Sequence, residues 1–145
     1  MEKKDIKRIV KTWYEALDEG KILGRKCTKC GHVEFPPYLA CNTCGNLDTE
    51  WCEISGKAVV THILPPAMPF SEPDFKDRVG DYCCCSVKPE ESDEINSCLI
   101  GVNPKRVDEL RVKLPLPVRP LIVQEDGYKY VFWELDVDKV IQLAG

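Results

Sequence analysis

The chain has 145 residues, of which 43% are apolar and 30% charged, with a formal net charge of −4. That supports one modest core, or one domain with a small module. No run of roughly eighteen apolar residues occurs, which argues against a membrane-spanning helix. The start MEKKDIKRIVKTWYEALDEGK also lacks the apolar centre of a secretory signal, so a cytoplasmic protein is expected.

Charge is distributed unevenly. Residues 1–30 carry nine Lys and Arg against five Asp and Glu, and the rest of the chain is strongly acidic. A basic front before an acidic body argues against a general nucleic-acid coat but permits a local anion site near the front. The nine cysteines, an odd number, read in a reducing compartment as metal ligands, small core residues or redox groups rather than a disulfide framework.

In residues 4–19, Ile6, Ile9, Val10, Trp13 and Leu17 recur at spacings of three and four, with Lys7, Arg8 and Lys11 off that face. This periodicity predicts an amphipathic helix stopped by Gly20. Residues 1–22 therefore form a helical arm, docked either on its own domain or on a partner chain.

Two Cys-x-x-Cys-Gly turns follow, Cys27/Cys30 and Cys41/Cys44, with ten residues between them. Each turn points two sulfurs at one centre, and Gly31 and Gly45 permit the positive φ that brings backbone N–H groups toward the thiolates. Four sulfurs suit a tetrahedral zinc ion, with iron in a rubredoxin-like site as the rival for the same ligands. The spacing fits a ribbon of two short hairpin arms, stiffened between them by Pro36 and Pro37. A catalytic zinc keeps an open position, whereas four Cys close the shell, so the predicted site is structural. His32, beside Cys30, reads as a surface residue.

Beyond Trp51 the pattern turns to strands. Residues 56–64, 81–88 and 96–103 are β-rich, with the charged stretch 89–95 closing a hairpin. Asn103 and Pro104 mark a short helix over 104–110. Asp126-Gly127 joins two further β-rich runs as a hairpin turn. Tyr128, Tyr130 and Phe132 share one face of the last strand, and Val131, Trp133 and Leu135 the other, which predicts burial on both sides. Five strands with a helix between the third and fourth match an OB-fold, a partly open barrel. The expected architecture is small, α+β and mostly β: helical arm 1–22, rubredoxin-like zinc ribbon 23–50, and OB-fold domain 51–145.

The loop 64–81, with its prolines, Met68, Phe70 and Phe75, reads as a binding loop. Cys83, Cys84 and Cys85 are consecutive in a strand and so cannot share one face; with Cys98 and Cys52 they read as packing residues. His62 reads as a core or partner-contact histidine. No nucleophile elbow, phosphate-binding glycine loop or HExxH motif is present. The residues by themselves describe a non-catalytic module.

The Gly24-x-x-Cys27-x-x-Cys30-Gly31 start, Pro36-Pro37 between the knuckles, Cys41-x-x-Cys44-Gly45, Trp51 before a glycine-led strand, and the closing run LPVRPLIVQEDGYKYVFWEL stand in this order. Together they resemble a zinc-ribbon/OB-fold family of domains associated with acyl-CoA enzymes. The resemblance covers almost the whole chain; the Cys83–Cys85 run and the Pro-rich loop depart from it. It implies an accessory subunit of a thiolase or a related condensing or hydratase enzyme. In such a pair the catalytic groups belong to the partner, and the small subunit bridges subunits or completes the acyl-CoA site. Within the family the chain is similar to small subunits of thiolases in anaerobic toluene breakdown, which act on 2-benzoylsuccinyl-CoA.

On that reading Lys21, Arg25 and Lys26 could meet the phosphates of coenzyme A. Trp13, Tyr14, Pro36, Pro37, Tyr38 and Phe70 could anchor the partner. Two other classes compete: a single-stranded nucleic-acid-binding OB/zinc-ribbon protein, disfavoured by the acidic barrel half, and a rubredoxin-like electron carrier. The acyl group, the partner's identity and the stoichiometry are not written in the sequence.

Overall fold

The computed structural model describes residues 3–38, 40–65, 77, 79–125 and 127–137. The elements in chain order are α1 (Lys3–Asp18), β1 (Leu23–Cys27), β2 (Val33–Glu34), β3 (Thr49–Glu53), β4 (Ala58–Leu64), β5 (Tyr82–Pro89) and β6 (Ile95–Ile100), then a 3-10 turn (Pro104–Arg106) running into α2 (Val107–Arg111), β7 (Leu116–Glu125) and β8 (Tyr128–Leu135). The chain divides into two compact units. One gathers residues 1–56, 89–93 and 122–130; the other gathers 57–88, 94–121 and 131–145.

In the first unit, α1 ends where its sequence says it should. Gly20 takes φ of 78°. The Lys21 N–H donates to the Ala16 carbonyl at 2.8 Å and the Gly20 N–H to the Leu17 carbonyl at 3.0 Å. This is a Schellman stop, and only a residue tolerant of left-handed backbone makes it without strain. Upstream, Leu17 is 1% exposed and Ala16 is buried. Trp13 packs on Phe35 in a tilted arrangement with ring centroids 5.7 Å apart, Tyr14 meets Tyr128 edge-on at 5.9 Å, and Lys129 reaches Asp18 at 3.5 Å. The second half of the helix therefore docks on its own chain. Burying a leucine of this kind contributes about 1.5–3 kcal/mol.

A three-stranded sheet of order β2-β1-β3 completes this unit. β1 pairs antiparallel with β3 from Leu23↔Glu53 to Cys27↔Thr49, and with β2 at Arg25↔Glu34. The ribbon is therefore one sheet built around β1 rather than two separate hairpin arms, because β3, after the second knuckle, returns to pair with the strand that enters the first.

The second unit is built on a closed barrel of order β4-β5-β6-β8-β7. Antiparallel contacts join β4 to β7 and β5 to β6, and a parallel contact, Leu99↔Trp133, joins β6 to β8. This is the expected five-stranded arrangement, with closure complete rather than partial. The 3-10 turn and α2 fall between the third and fourth barrel strands. Their start is capped by Asn103, whose Oδ1 accepts the Lys105 N–H at 2.9 Å. Val60, Cys83, Val87, Leu99 and Trp133 are 0% exposed and form the centre of the core.

Two sequence expectations change here. Tyr128 and Tyr130 are 40% and 42% exposed, whereas Trp133 is fully enclosed. The last strand is thus buried through one face, and the two tyrosines instead pack edge to face on each other, with centroids 4.8 Å apart. His62 is exposed and not a core residue, since its side chain retains 70% of its accessible surface. The inward positions of β4 are Val60 and Ile63, three apart. Strict alternation lapses between them and leaves both Thr61 and His62 off the core. Phe70, with most of the loop 64–81, lies outside the described residues. Among the described residues no helix is long and apolar enough to cross a membrane.

Candidate metal centre

The two knuckles are built alike. In the first, the Gly31 N–H donates to the Cys27 carbonyl at 3.0 Å and the Cys27 N–H to the His32 carbonyl at 2.9 Å. In the second, the Gly45 N–H donates to the Cys41 carbonyl at 2.8 Å and the Cys41 N–H to the Asn46 carbonyl at 3.0 Å. Gly31 and Gly45 take φ of 78° and 76°. The positive φ turns the chain inside five residues, which is why each pair of sulfurs converges.

Sγ of Cys27 lies 3.6 Å from that of Cys44, and Sγ of Cys30 lies 3.5 Å from that of Cys41. All four lie within 4.8 Å of one another. A tetrahedron of zinc–sulfur bonds of about 2.3 Å has edges of about 3.8 Å, so the donor set fits one tetrahedral ion. Cys27 and Cys41 are buried, while Cys30 and Cys44 face outward.

The thiols are electrostatically crowded. The Cys30 backbone N–H holds Cys27 down to about 6, against its burial and with help from the Asn46 side chain. At Cys30 the His32 N–H favours the thiolate, but the Cys41 sulfur and burial prevail and push it up to about 12. Burial opposes ionisation of Cys41, yet the N–H groups of Cys44 and Thr43 bring it down. Backbone donors therefore favour the thiolate at Cys27 and Cys41 but do not prevail at Cys30. A divalent cation resolves that conflict by deprotonating every ligand.

A second layer of polar contacts orients the knuckles. Glu34 on β2 is 7% exposed. One carboxylate oxygen accepts the Asn42 backbone N–H at 2.8 Å and the other accepts Asn42 Nδ2 at 3.1 Å. A buried charge on the first arm thus grips the residue beside Cys41. Asn46 Nδ2 donates to Cys27 Sγ at 3.5 Å and to the Asp48 carbonyl at 3.0 Å. Thr28 Oγ1 donates to the same carbonyl at 2.9 Å. The contacts of Glu34 with Asn42, of Asn46 with Cys27 and of Thr28 with Asp48 tie one knuckle to the other, the kind of support that fixes ligand orientation in metal sites.

His32 is less exposed than its sequence position suggests, at 20%, and its Nε2 lies 3.3 Å from Glu34 and 3.5 Å from Asp93. The ring is therefore committed to carboxylates, and the donor set that converges is the four sulfurs. Sequence reasoning passed over Glu34 and Asn46. Neither sits in a recognisable pattern; the one available signal was Asn46 directly after the second Cys-x-x-Cys-Gly.

The remaining candidate contacts are dispersed within the first unit. Lys21 and Lys26 are exposed, with Lys21 3.9 Å from Glu19. Arg25 is engaged within the sheet: its guanidinium donates to the Thr49 carbonyl at 2.6 Å and to Thr49 Oγ1, and lies 4.7 Å over the Trp51 ring. Burial lowers its pKa. Trp13 and Tyr14 are half-buried in the helix contacts described above, Pro36 is exposed, Pro37 is half-buried, and Tyr38 is 57% exposed.

Residues 15–50 match the family described as ChsH2, rubredoxin-like zinc ribbon domain. The segment is similar to that family over these residues alone. Its four cysteines are placed to bind one metal ion, and a closed shell of four sulfurs suits a structural zinc.

Two relatives extend the likeness along the chain. A probable enoyl-CoA hydratase alpha subunit of Thermomonospora curvata is 26% identical over 130 residues, covering 79% of this chain and 38% of that protein. A DUF35 domain-containing scaffold protein of Methanothermobacter thermautotrophicus is 29% identical over 102 residues, covering 68% of this chain and 73% of that one. The chain thus spans well under half of the first relative. Among solved structures, a chain of the Ltp2-ChsH2(DUF35) aldolase superposes with a TM-score of 0.61 at 21% identity, covering 86% of this chain and 92% of its own. A DUF35-family protein of unknown function from Sulfolobus solfataricus gives 0.54 at 16% identity, covering 88% and 85%. These superpositions establish a shared DUF35-type ribbon-and-barrel fold.

Proposed function

We propose that this chain is a non-catalytic accessory subunit of an acyl-CoA enzyme, which supports or completes the acyl-CoA site of a separate catalytic subunit. The observation that carries the reading is the ChsH2-like ribbon in which four sulfurs converge as one donor set. A metal ion held by all four would have no vacancy for a substrate and would contribute folding energy instead. The names of the relatives, a hydratase alpha subunit and a scaffold protein, support the same class.

The finer reading is a thiolase-type partner, with 2-benzoylsuccinyl-CoA as the substrate of the pair. A thiolase needs a nucleophilic cysteine, a base and an oxyanion hole, none of which this chain has to supply. Exposed Lys21 and Lys26 are available to the phosphates of coenzyme A, with Arg25 beside them in β1. Tyr38 with Pro36 and Pro37 offers a rigid, partly apolar anchor for the partner. Phe70 belongs to the same set by sequence.

Co-expression with a thiolase-type catalytic subunit, followed by gel filtration and a thiolysis assay with and without this chain, tests the reading. A stable hetero-oligomer is expected, with turnover by the pair and none by this chain alone. Turnover by this chain alone, or failure to co-elute with any acyl-CoA enzyme of the same cells, overturns it.

A further inference from the structure

The cysteine run at 83–85 belongs to neither the metal centre nor the proposed acyl-CoA role. β5 and β6 pair antiparallel with Cys84 directly opposite Cys98. The type of pair is fixed by the hydrogen bonds on either side. The Gly101 N–H donates to the Asp81 carbonyl at 2.7 Å, so Asp81 and Gly101 are a hydrogen-bonded pair. Alternation along the ladder then makes Cys83 and Leu99 hydrogen-bonded, and Cys84 and Cys98 not. An independent contact agrees: the Ser86 carbonyl, two residues on, turns away from β6 to accept Thr61 Oγ1 of β4 at 3.2 Å.

Non-hydrogen-bonded pairs bring opposed Cα atoms to about 4.5 Å, with side chains on the same face and in reach. The next such pair shows this directly, since Ser86 Oγ lies 3.1 Å from Asn96 Oδ1. A disulfide accepts Cα separations of about 4.4–6.8 Å, so this register needs no backbone movement to be bridged. Cys83 and Cys85 point into the core, whereas Cys84 is exposed and Cys98 half-buried. Cys84 also lines an open groove of about 410 Å³ with His62, Leu64, Ser86 and Asn96, which admits small solutes to its sulfur.

We propose that Cys84 and Cys98 are an oxidation site, a solvent-facing cross-strand dithiol that hydroperoxides convert to a disulfide. The Cys84 thiolate attacks one peroxide oxygen; the O–O bond breaks, leaving Cys84 as a sulfenic acid and releasing hydroxide, which takes up the thiol proton as water. The Cys98 sulfur then attacks the sulfenic sulfur. The S–S bond forms, the S–O bond breaks, and a second water leaves carrying the Cys98 proton. Two thiols lose two electrons in total, and hydrogen peroxide gains them. Burial, reinforced by the neighbouring Cys84 charge, pushes the Cys98 thiol up to about 11, in keeping with Cys84 as the attacking group and Cys98 as the resolving one.

The test treats the zinc-loaded full chain with stoichiometric hydrogen peroxide, quenches free thiols, cleaves at the acidic residues Glu90, Glu91, Asp93 and Glu94 and maps linked peptides by mass spectrometry. A linkage between Cys84 and Cys98 that a thiol reductant reverses is expected. Cys98→Ser should abolish it and leave a sulfenic acid trappable on Cys84 by a dimedone probe, while Cys84→Ser should leave Cys98 unlabelled. Linkage of Cys84 to any other cysteine overturns the proposal, as does complete alkylation of both thiols after oxidation. Because the wild-type map alone decides this, a serine variant that folds poorly does not shield the proposal.

Discussion

Glu34 shows how much of the metal centre is held by a residue that binds no metal. Its buried carboxylate accepts two hydrogen bonds from Asn42, next to Cys41. Hydrogen bonds to a charged group contribute about 1.5–3 kcal/mol each. Glu34→Ala is expected to leave the zinc stoichiometry intact but to loosen the second knuckle. Zinc transfer to a chromogenic chelator should then run about tenfold faster or more, the outer-shell effect seen generally in metal sites. Cys41→Ala is expected to behave differently in kind: bound metal falls below one per chain, and the ribbon loses the ion's folding contribution, about 10–16 kcal/mol in small zinc domains. Elemental analysis and far-UV dichroism of the two variants separate these outcomes, and unchanged metal content in Cys41→Ala would refute a four-sulfur shell. The four ligands were legible because each knuckle is a local motif. Glu34 was not, because a lone Glu in a two-residue strand carries no local signature; its role exists only once β2 lies beside the second knuckle.

At the scale of the element, the most closely packed of the ribbon's glycines is Gly24 in β1. A Cβ placed there would sit 3.0 Å from the Glu34 carbonyl oxygen, 3.1 Å from Ile54 Cδ1 and 3.2 Å from Val33 Cγ1. One of these neighbours is backbone in the paired strand and cannot rotate away. Gly24→Ala is therefore expected to cost about 1–3 kcal/mol by overpacking and to push β2, with Glu34, off the second knuckle. A chelator challenge should then resemble that of Glu34→Ala. A melting temperature within a degree or so of wild type would show that the sheet absorbs the methyl group. Chain stops and turns were the most readable elements: Gly20, Asn103 and the hairpin turn at Gly127 all act where the sequence places them, because they answer to backbone stereochemistry. The faces of β8 and β4 were less readable. Tyr128 and Tyr130 find aromatic partners at the surface, and His62 is displaced outward by the lapse in alternation beside Ile63.

For the molecule as a whole, the barrel's thiols set an alkaline limit. Burial pushes Cys85 up to about 12, and Cys83 and Cys98 up to about 11, from an ordinary value of 9.0. Between these limits the folded barrel holds protons that the unfolded chain has lost. The stabilisation is fully present below pH 9.0 and is lost as pH rises through 11 to 12. Denaturant unfolding of the zinc-loaded protein should show a midpoint that falls from about pH 9 upward, with a shallower fall in Cys85→Ala. An equal slope in that variant would show that other groups govern the alkaline limit.

The sequence by itself determined the four-sulfur knuckles, the helix and its stop, and the number of barrel strands and their places along the chain. Each of these depends on residues within a few positions of one another, through periodicity, turn stereochemistry or ligand spacing. Tertiary structure alone decided that Glu34 meets Asn42 beside the second knuckle, that β6 runs parallel to β8 to close the barrel, and that Cys84 faces Cys98. Those facts depend on which strands pair and in what register. Register follows from fitting the whole set of inward side chains into one closed interior, which no short stretch of chain can specify.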